Sequence, residues 1–269
     1  KTVTDFREML DDIDAVIISS PNGLHPAQAI ACAEAGKHIW IEKPMALSTA
    51  DADRICKAVD TAGVKSFVGF SIRFGAAPRT IKNEFTNGAI GSLRSIFSRR
   101  CSHNFKNGMT GWRADFAKTG GVLAELLAHE IDWMIDIAGD PISIYCRIMA
   151  DNHSDPREND HVWITMGFAD GATGTIEGTH NAMIADFYKG IIGSAGSLTD
   201  RNWGSEVYLQ DRDGDRKLEL TESFNKHSHF LDVIEGKAES VADVHLGRKV
   251  VYISEKALDS AISGKVLAL

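Results

Sequence analysis

The first 70 residues alternate between short apolar runs and helix-forming segments, and this order limits the fold more than any other feature of the chain. Apolar runs at 14–20, 39–41 and 66–70 are separated by helix-like segments at 26–35 and 49–62. Continuous apolar runs of this length are typical of strands buried on both faces, as in parallel sheets covered by helices. Such connections are right-handed crossovers, so we predict a three-stranded parallel sheet.

Two opposite charges, Glu42 and Lys43, directly follow the second predicted strand and precede Pro44. In an open α/β sheet, ligands bind in the crevice at the carboxyl ends of the strands, so Lys43 is a candidate for chemistry. The alternative is an exposed ion pair in a turn, which contributes little to stability. Pro44 also allows a cis peptide bond after Lys43.

A sheet of only three parallel strands leaves an edge and its neighbouring faces uncovered. A doubly wound nucleotide-binding sheet has two halves, and its glycine-rich phosphate loop belongs to the first. The sequence contains no G-x-G-x-x-G, because the glycines of 190–196 have the wrong spacing and lie late in the chain. We therefore expect the chain as given to begin partway through such a domain, with residues 1–72 as its C-terminal part.

From residue 142 onward, strand-like segments recur up to residue 220, and Asp170 and Gly171 are typical of a tight hairpin between two of them. Helical segments at 221–234 and 244–263 close the chain. This pattern predicts an α+β domain over 73–269, with a large, mostly antiparallel open sheet and helices on one face. The other face needs cover, so we expect a homodimer or homotetramer through the open sheet; a partly polar, solvated face is the alternative.

A predicted helix over 121–138 carries Glu125, His129, Asp132 and Asp136 at i, i+4, i+7 and i+11, within an arc of about 60°. Nearly all its other residues are apolar, which indicates a mostly buried helix whose polar stripe lines a cleft; a thin solvated face is the alternative. The pattern offers no reason for Glu130 in the apolar arc. One histidine without an H-E-x-x-H pair is a weak ligand set, so we expect no metal there.

Composition excludes several classes of partner. The net charge of −8, without a run of lysine or arginine, argues against nucleic acid and anionic membranes. No stretch approaches the roughly 20 apolar residues of a membrane span, so we expect a soluble cytoplasmic protein. The four cysteines are widely spaced, without a C-x-x-C pair, and are interpreted as reduced thiols that mostly fill the core.

Several ordered motifs resemble the glucose-fructose oxidoreductase, inositol dehydrogenase and rhizopine-catabolism (Gfo/Idh/MocA) family. They are ISSPNGLH at 18–25, AGKHIWIEKP at 35–44, GFSIRF at 69–74, GWR at 111–113, and GG at 120–121 followed by Glu125, His129 and Asp132, which is similar to the family's D-x-x-x-H-x-x-D. The resemblance implies a Rossmann domain, an α+β substrate domain, bound NAD or NADP, and oxidation or reduction of a sugar, inositol or related polyol.

The resemblance also implies roles for individual residues. The catalytic set is Lys43, His129 and Glu125: His129 takes the hydroxyl proton as the base, Lys43 stabilises the developing alkoxide, and Glu125 orients the imidazole or grips a second hydroxyl. Asp132 supports this network or caps a neighbouring element. The cofactor-binding set is Ser20, Pro21, Asn22, His25, Glu42, Lys43, Arg73, Trp112 and Arg113. The substrate-binding set is Lys43, Arg113, Glu125 and His129.

Two departures from the family pattern leave alternatives open. The glycine fingerprint is absent from the given sequence, and Glu125 stands where the family usually has aspartate. A longer carboxylate shifts its reach by around an ångström, a displacement that matters in catalysis. The alternatives to an oxidoreductase are a glycosidase that uses bound dinucleotide as a transient redox agent, and a non-catalytic sugar-binding or regulatory protein.

Overall fold

The computed structural model describes residues 2–102, 112, 115–149, 161–183 and 185–269. Its first sheet contains the three predicted strands in parallel. They are β1 (Ala15–Ile18), β2 (His38–Ile41) and β3 (Ser66–Val68), in the spatial order β1-β2-β3. The central strand β2 pairs with both neighbours in parallel, which confirms the predicted sheet.

Local sequence signals explain where the first helices begin and end. They are α1 (His25–Glu34), α2 (Thr49–Ala62) and α3 (Ala76–Thr86). Before α2, the hydroxyl of Ser48 accepts a hydrogen bond from the backbone N–H of Asp51, and after α2 Gly63 adopts a left-handed conformation with φ of 64°. These are the cap and stop that such residues usually provide, and they confirm the helix predicted over 49–62.

The free edge of β3 is covered by a segment from far along the chain. The N–H of Val68 donates to the carbonyl of Ala242 over 2.7 Å, and the N–H of Val244 donates to the Ser66 hydroxyl over 3.2 Å. Helix α7 (Val244–Ser263) follows directly and packs against α2 and β3. The last helix therefore belongs to the packing of both regions, and the boundary proposed after residue 72 stays a prediction.

The second sheet has nine strands within the described residues, in the order β11-β10-β9-β8-β4-β7-β6-β5-β12. Strands β4 and β7 are parallel, whereas the other neighbours are antiparallel, as predicted for a mostly antiparallel open sheet. The strands are β4 (Leu93–Cys101), β5 (Pro141–Met149), β6 (His161–Phe168), β7 (Thr173–Thr179), β8 (Asp186–Gly193), β9 (Ser197–Arg201), β10 (Glu206–Asp211), β11 (Gly214–Leu218) and β12 (Leu267–Ala268).

The helix predicted over 121–138 is wrong as a single regular element. A short helix α4 (Phe116–Thr119) precedes Gly120 and Gly121, which both have positive φ values that end regular helix. A π-helical turn then spans Val122–Leu126, and α5 (Ala128–Ala138) follows after Leu127. Helix α5 packs against β4 and β7, so its buried face lies on the inner face of the large sheet.

The predicted helix over 221–234 begins later than expected. Helix α6 (Lys226–Ile234) starts after Asn225, whose side chain accepts hydrogen bonds from the N–H groups of His227 and Ser228. This cap fixes the start of the helix, and residues 221–225 are not helical. Among the described residues, we find no helix that is both long and apolar enough to cross a membrane.

Candidate functional site

Lys43 forms a hydrogen-bonded connection between the two regions of the protein. Its ammonium donates to the main-chain carbonyl of Glu125 over 2.6 Å and to the Glu125 carboxylate over 3.2 Å. The side chains of Lys43 and Glu125 are only 15% and 20% exposed. Lys43 therefore pairs with a residue 82 positions away, and the alternative of an exposed ion pair with Glu42 in a turn is wrong.

Asn22, in the loop after β1, is the third member of this network. Its side-chain amide donates to the second carboxylate oxygen of Glu125 over 2.9 Å and to the carbonyl of Thr119 over 3.2 Å. Glu125 thus accepts hydrogen bonds from residues that follow two neighbouring parallel strands. Burial lowers the pKa of Lys43, and the negative charge of Glu125 opposes this shift.

His25 connects the two loops that carry Asn22 and Lys43. One ring nitrogen lies 2.9 Å from the carbonyl of Pro44 and the other lies 2.9 Å from the carbonyl of Ser20, and the side chain is fully buried. The Lys43–Pro44 peptide bond is cis, as the sequence allowed. Since both ring nitrogens contact backbone carbonyls, His25 positions the two loops and has no ring nitrogen left for the cofactor contact that the resemblance implies.

His129 lies one turn beyond Glu125, near the start of α5. It is 8% exposed, its ring packs edge-on against Phe70, and its Nδ1 is buried with no hydrogen-bond partner among the described residues. Burial lowers its pKa well below the usual value, and the positive charges of Lys43 and Arg100 lower it further. His129 is therefore a neutral imidazole at pH 7, and the Glu125 carboxylate bonds to Lys43 and Asn22 rather than orienting the ring.

Asp132 and Asp136, the last two residues of the polar stripe, both contact Arg73. Arg73 donates from Nε and Nη2 to the carboxylate of Asp132, at 2.8–3.0 Å, and from Nη1 to Asp136. Asp132 is fully buried and the Arg73 side chain is 11% exposed. Arg73 was predicted to bind cofactor, but its guanidinium is occupied by α5, so we assign it to packing. Asp132 accordingly holds a neighbouring element rather than joining the Lys43 network.

Glu130, for which the sequence pattern offered no reason, is the centre of a buried ion cluster. It accepts hydrogen bonds from Arg100 over 3.0 Å, from Lys189 over 2.9 Å and from the Ser98 hydroxyl. Burial alone would raise its pKa, but the charges of Lys189 and Arg100 and the Ser98 hydrogen bond lower it to about 2. The cluster lines a cavity of about 330 Å³ whose walls include Phe187, Asp200 and Trp203.

The structure describes three of the remaining predicted cofactor-binding residues, besides Trp112 and Arg113, through their hydrogen bonds or their burial. The Ser20 hydroxyl donates to Gln28 over 2.6 Å, and Glu42 accepts from the Trp40 indole over 3.1 Å. Pro21 is partly buried at the start of the same loop as Asn22. Trp112 is partly buried, whereas Arg113 lies outside the described residues. The cofactor contacts of Trp112 and Arg113, and the substrate contact of Arg113, stay predictions.

Two family models match successive parts of the chain. Residues 1–70 match the model described as "Oxidoreductase family, NAD-binding Rossmann fold", and residues 79–199 match the "GFO/IDH/MocA C-terminal domain". The chain is also 30% identical over 233 residues to the 1,5-anhydro-D-fructose reductase of Ensifer adhaerens, covering 82% of this chain and 68% of that protein. The chain belongs to the Gfo/Idh/MocA family of NAD(P)-dependent oxidoreductases. This confirms the resemblance seen in its motifs.

Other Gfo/Idh/MocA relatives extend the comparison. The myo-inositol 2-dehydrogenase of Thermotoga maritima is 29% identical over 230 residues, which cover 80% of this chain and 66% of that enzyme. The scyllo-inositol 2-dehydrogenase (NADP(+)) of Bacillus subtilis is 26% identical over 310 aligned positions, with 100% of this chain and 83% of that protein covered. This chain therefore spans about two thirds of the first relative and more of the second.

Solved structures show the same fold at low sequence identity. A levoglucosan dehydrogenase in complex with NADH and levoglucosan superposes with a TM-score of 0.90 at 24% identity, covering 99% of this chain and 83% of that one. The aldose-aldose oxidoreductase of Caulobacter crescentus, complexed with glycerol, gives a TM-score of 0.88 at 23% identity, with 98% and 82% covered. These likenesses establish the architecture and carry no further conclusion about ligands.

The residues around Lys43 fit a nicotinamide cofactor with a hydroxylated substrate. Buried polar atoms in proteins nearly always have a hydrogen-bond partner, yet Nδ1 of His129 has none among the described residues. The ring stands one turn from Glu125, whose carboxylate holds the ammonium of Lys43. A neutral imidazole can accept a proton from a hydroxyl group, and an ammonium can donate a hydrogen bond to its oxygen.

The buried contacts of Arg73 lead to a first prediction. Arg73→Met leaves Asp132 and Asp136 without their main cation, and removing one partner from a buried ion pair costs about 3–5 kcal/mol. Lys82→Met is the matched control, because Lys82 contacts the same Asp136 but is 45% exposed, where pairs contribute about 1 kcal/mol or less. Urea unfolding followed by circular dichroism measures both, and equal losses would contradict the assignment.

The low pKa of Glu130 leads to a second prediction. Because the folded protein binds this proton more weakly than the unfolded chain, the contribution of Glu130 is complete above about pH 5 and disappears as the pH falls towards 2. The shift from 4.5 to about 2 corresponds to roughly 3 kcal/mol. We expect Glu130→Gln to be less stable at pH 7 and to lose less stability between pH 5 and 2. Glu219→Gln, at an exposed carboxylate, should follow the wild-type curve.

Proposed function

We propose that this protein transfers a hydride between a nicotinamide cofactor and a hydroxyl or carbonyl carbon of a sugar, inositol or related polyol. The observation that carries the proposal is the contact of Lys43, at the carboxyl end of a parallel strand, with Glu125, which stands one helical turn before the neutral, buried His129. Ligands of such sheets bind at that edge. Membership of an NAD(P)-dependent oxidoreductase family supplies the reaction class.

In the oxidative direction, a bound nicotinamide supplies the hydride acceptor. The substrate hydroxyl must lose its proton as the hydride leaves, and His129 is the proposed base because its imidazole is neutral and has an available nitrogen. Lys43 donates a hydrogen bond to the oxygen and stabilises the negative charge that develops there. In the reductive direction the same residues return the proton.

Glu125 has a positioning role in this proposal. Its two carboxylate oxygens accept hydrogen bonds from Lys43 and Asn22, one from each of the loops after β2 and β1. A glutamate in place of the family's aspartate therefore still reaches both partners here. This contact supports the active oxidoreductase over the non-catalytic alternative, because the departure at Glu125 leaves the Lys43 ammonium held in place.

The proposed cofactor is NAD or NADP. We retain Ser20, Pro21, Asn22, Glu42 and Lys43 as its proposed contacts, since all belong to the loops or strand end at the ligand-binding edge of the first sheet. The substrate class follows the relatives, which are named for inositols and an anhydro sugar. Lys43, Glu125 and His129 are the proposed substrate contacts.

A second candidate reaction uses the same residues without net oxidation. The 2,7-anhydro-N-acetylneuraminate hydratase of Escherichia coli is 29% identical over 191 residues, covering 69% of this chain and 51% of that protein. In such a reaction, as in the redox-assisted glycosidase considered from sequence, the dinucleotide returns to its starting state. Product formation with no net change in cofactor absorbance distinguishes it from a dehydrogenase.

We further propose a cytoplasmic homodimer or homotetramer that associates through the large sheet. The outer face exposes Met149, Trp163, Tyr188 and Ile192, which are large apolar or aromatic side chains of three strands. Large exposed apolar side chains on one face of a sheet favour a subunit interface. The four cysteines are unpaired thiols, as the sequence predicted, and this favours a reducing compartment.

Substitution of His129 tests the proposed chemistry. His129→Ala should lower turnover by ~10²-fold or more, because a positioned general base contributes about that factor. Turnover is followed through cofactor absorbance with inositols, 1,5-anhydro sugars and aldoses as substrates, and cofactor binding through the fluorescence of NADH or NADPH. His245→Ala, at an exposed histidine on α7, is the matched control and should leave turnover unchanged.

The companion variant Lys43→Met separates chemistry from binding. We expect it to bind reduced cofactor and to lose turnover. Unchanged turnover in His129→Ala would remove His129 from the role of base. A wild-type protein that binds neither NADH nor NADPH would contradict the proposed function.

A further inference from the structure

A cluster of three metal-binding side chains lies on the large sheet, apart from the Lys43 network. Cys101 at the end of β4, His161 at the start of β6 and Glu177 in β7 each offer one ligand atom, and these atoms all lie within 4.8 Å of one another. We propose that Cys101, His161 and Glu177 form a binding site for a zinc ion. The proposal is independent of the oxidoreductase function.

The pairing of the strands brings the three residues to one face. Cys101 is opposite Thr179 in β7, and Thr179 is opposite His161 in β6, so the three form one cross-strand row. Glu177 stands two residues before Thr179 and therefore points to the same face. The neighbouring Arg100 points to the opposite face, where it bonds to Glu130. Three hydrogen-bonded strands thus hold the ligands on a rigid surface.

The distances need only a small adjustment to accept zinc. Zn–S bonds of about 2.3 Å and Zn–N or Zn–O bonds of about 2.0–2.2 Å place tetrahedral ligand atoms about 3.2–3.6 Å apart. The Nε2 of His161 already lies 3.0 Å from a carboxylate oxygen of Glu177, and the thiol is within the 4.8 Å limit. Side-chain rotations that move the ligand atoms by about an ångström bring them to these distances.

The donor set selects the type of cation. A thiolate and an imidazole are soft or intermediate ligands that favour Zn²⁺, whereas Mg²⁺ and Ca²⁺ are bound by oxygen. Three protein ligands leave a fourth tetrahedral position for water. Binding removes one proton, because the Cys101 thiol becomes a thiolate and its proton passes to solvent.

The surroundings orient the ligands and leave the ion a path to the site. Arg99 donates to the second carboxylate oxygen of Glu177 over 2.9 Å, and His161 stacks on Trp163 with ring centroids 3.9 Å apart. Contacts of this kind fix metal-binding side chains from outside. In the single chain Cys101 is buried, whereas His161 and Glu177 are partly exposed, so the ion approaches from their side.

Cobalt(II) is the probe that tests the site, because a thiolate bound to Co²⁺ gives a charge-transfer absorption band. The chain of 269 residues is stripped with chelator and titrated with Co²⁺, then with Zn²⁺ in competition. We expect one ion per chain, a thiolate–cobalt band, and quenching of Trp163 fluorescence. Cys101→Ala should remove the band and weaken Zn²⁺ binding by ~10²-fold or more, since loss of even an outer-shell partner costs about 10–100-fold.

Cys146→Ala is the matched control, because Cys146 is also a buried thiol of this sheet but points to its inner face. It should leave the band and the affinity unchanged. His161→Gln and Glu177→Gln should each weaken binding, and they test the site without removing the buried thiol. Circular dichroism confirms that each variant is folded.

Three results would overturn the proposal. The first is the absence of saturable Co²⁺ or Zn²⁺ binding by the stripped wild-type protein. The second is a band that survives in Cys101→Ala or disappears in Cys146→Ala. The third is Zn²⁺ affinity that is unchanged in both His161→Gln and Glu177→Gln, which would leave these two residues as a simple hydrogen-bonded pair beside a thiol.

Discussion

The contact between the Lys43 ammonium and Glu125 is the interaction on which the arrangement of the site depends. It joins the carboxyl end of β2 to the π-helical turn, and it satisfies a charge that is mostly removed from water. In a regular α-helix each carbonyl is directed to the amide four residues later. The widened turn at Val122–Leu126 and the break at Leu127 change that geometry, and Lys43 approaches the Glu125 carbonyl at this point.

The polar residues of α5 then fix the rotation of the helix around its axis. Glu130 is directed to the inner face of the large sheet by Arg100 and Lys189, and Asp132 is directed to Arg73. Each contact lies in a buried environment, where an unpaired charge is costly and alternative rotations of the helix are therefore disfavoured. His129 stands between these anchored positions, so the direction of its ring is set by contacts that do not touch the proposed substrate.

The large sheet carries different groups of side chains on its two faces. Its inner face supports α5 and the cluster around Glu130, while its outer face carries aromatic side chains and the group of Cys101, His161 and Glu177. Because side chains alternate along a strand, neighbouring residues such as Arg100 and Cys101 serve different faces. The parallel pairing of β4 with β7 brings Cys101 near Glu177, and the antiparallel pairing of β7 with β6 brings in His161.

The sequence by itself determined the elements whose signals are local. The three strands of the first sheet and helices α2 and α7 lie where apolar periodicity, caps and glycines place them, because backbone hydrogen bonding and side-chain periodicity act over a few residues. The ordered motifs also identified the family and selected Lys43, Glu125 and His129, although their roles are proposals.

Only the tertiary structure decided which partners these residues have. Ser66 is bonded to Val244, 178 positions away, and Glu130 to Lys189, 59 positions away, and no local pattern encodes such pairs. For the same reason the sequence predicts a cofactor contact for Arg73, whereas its guanidinium contacts α5 in the structure. The sequence likewise offers no reason for Glu130, whose partners lie on distant strands. The energy of a buried charge depends on the groups that surround it in space, and in this protein those groups come from distant strands.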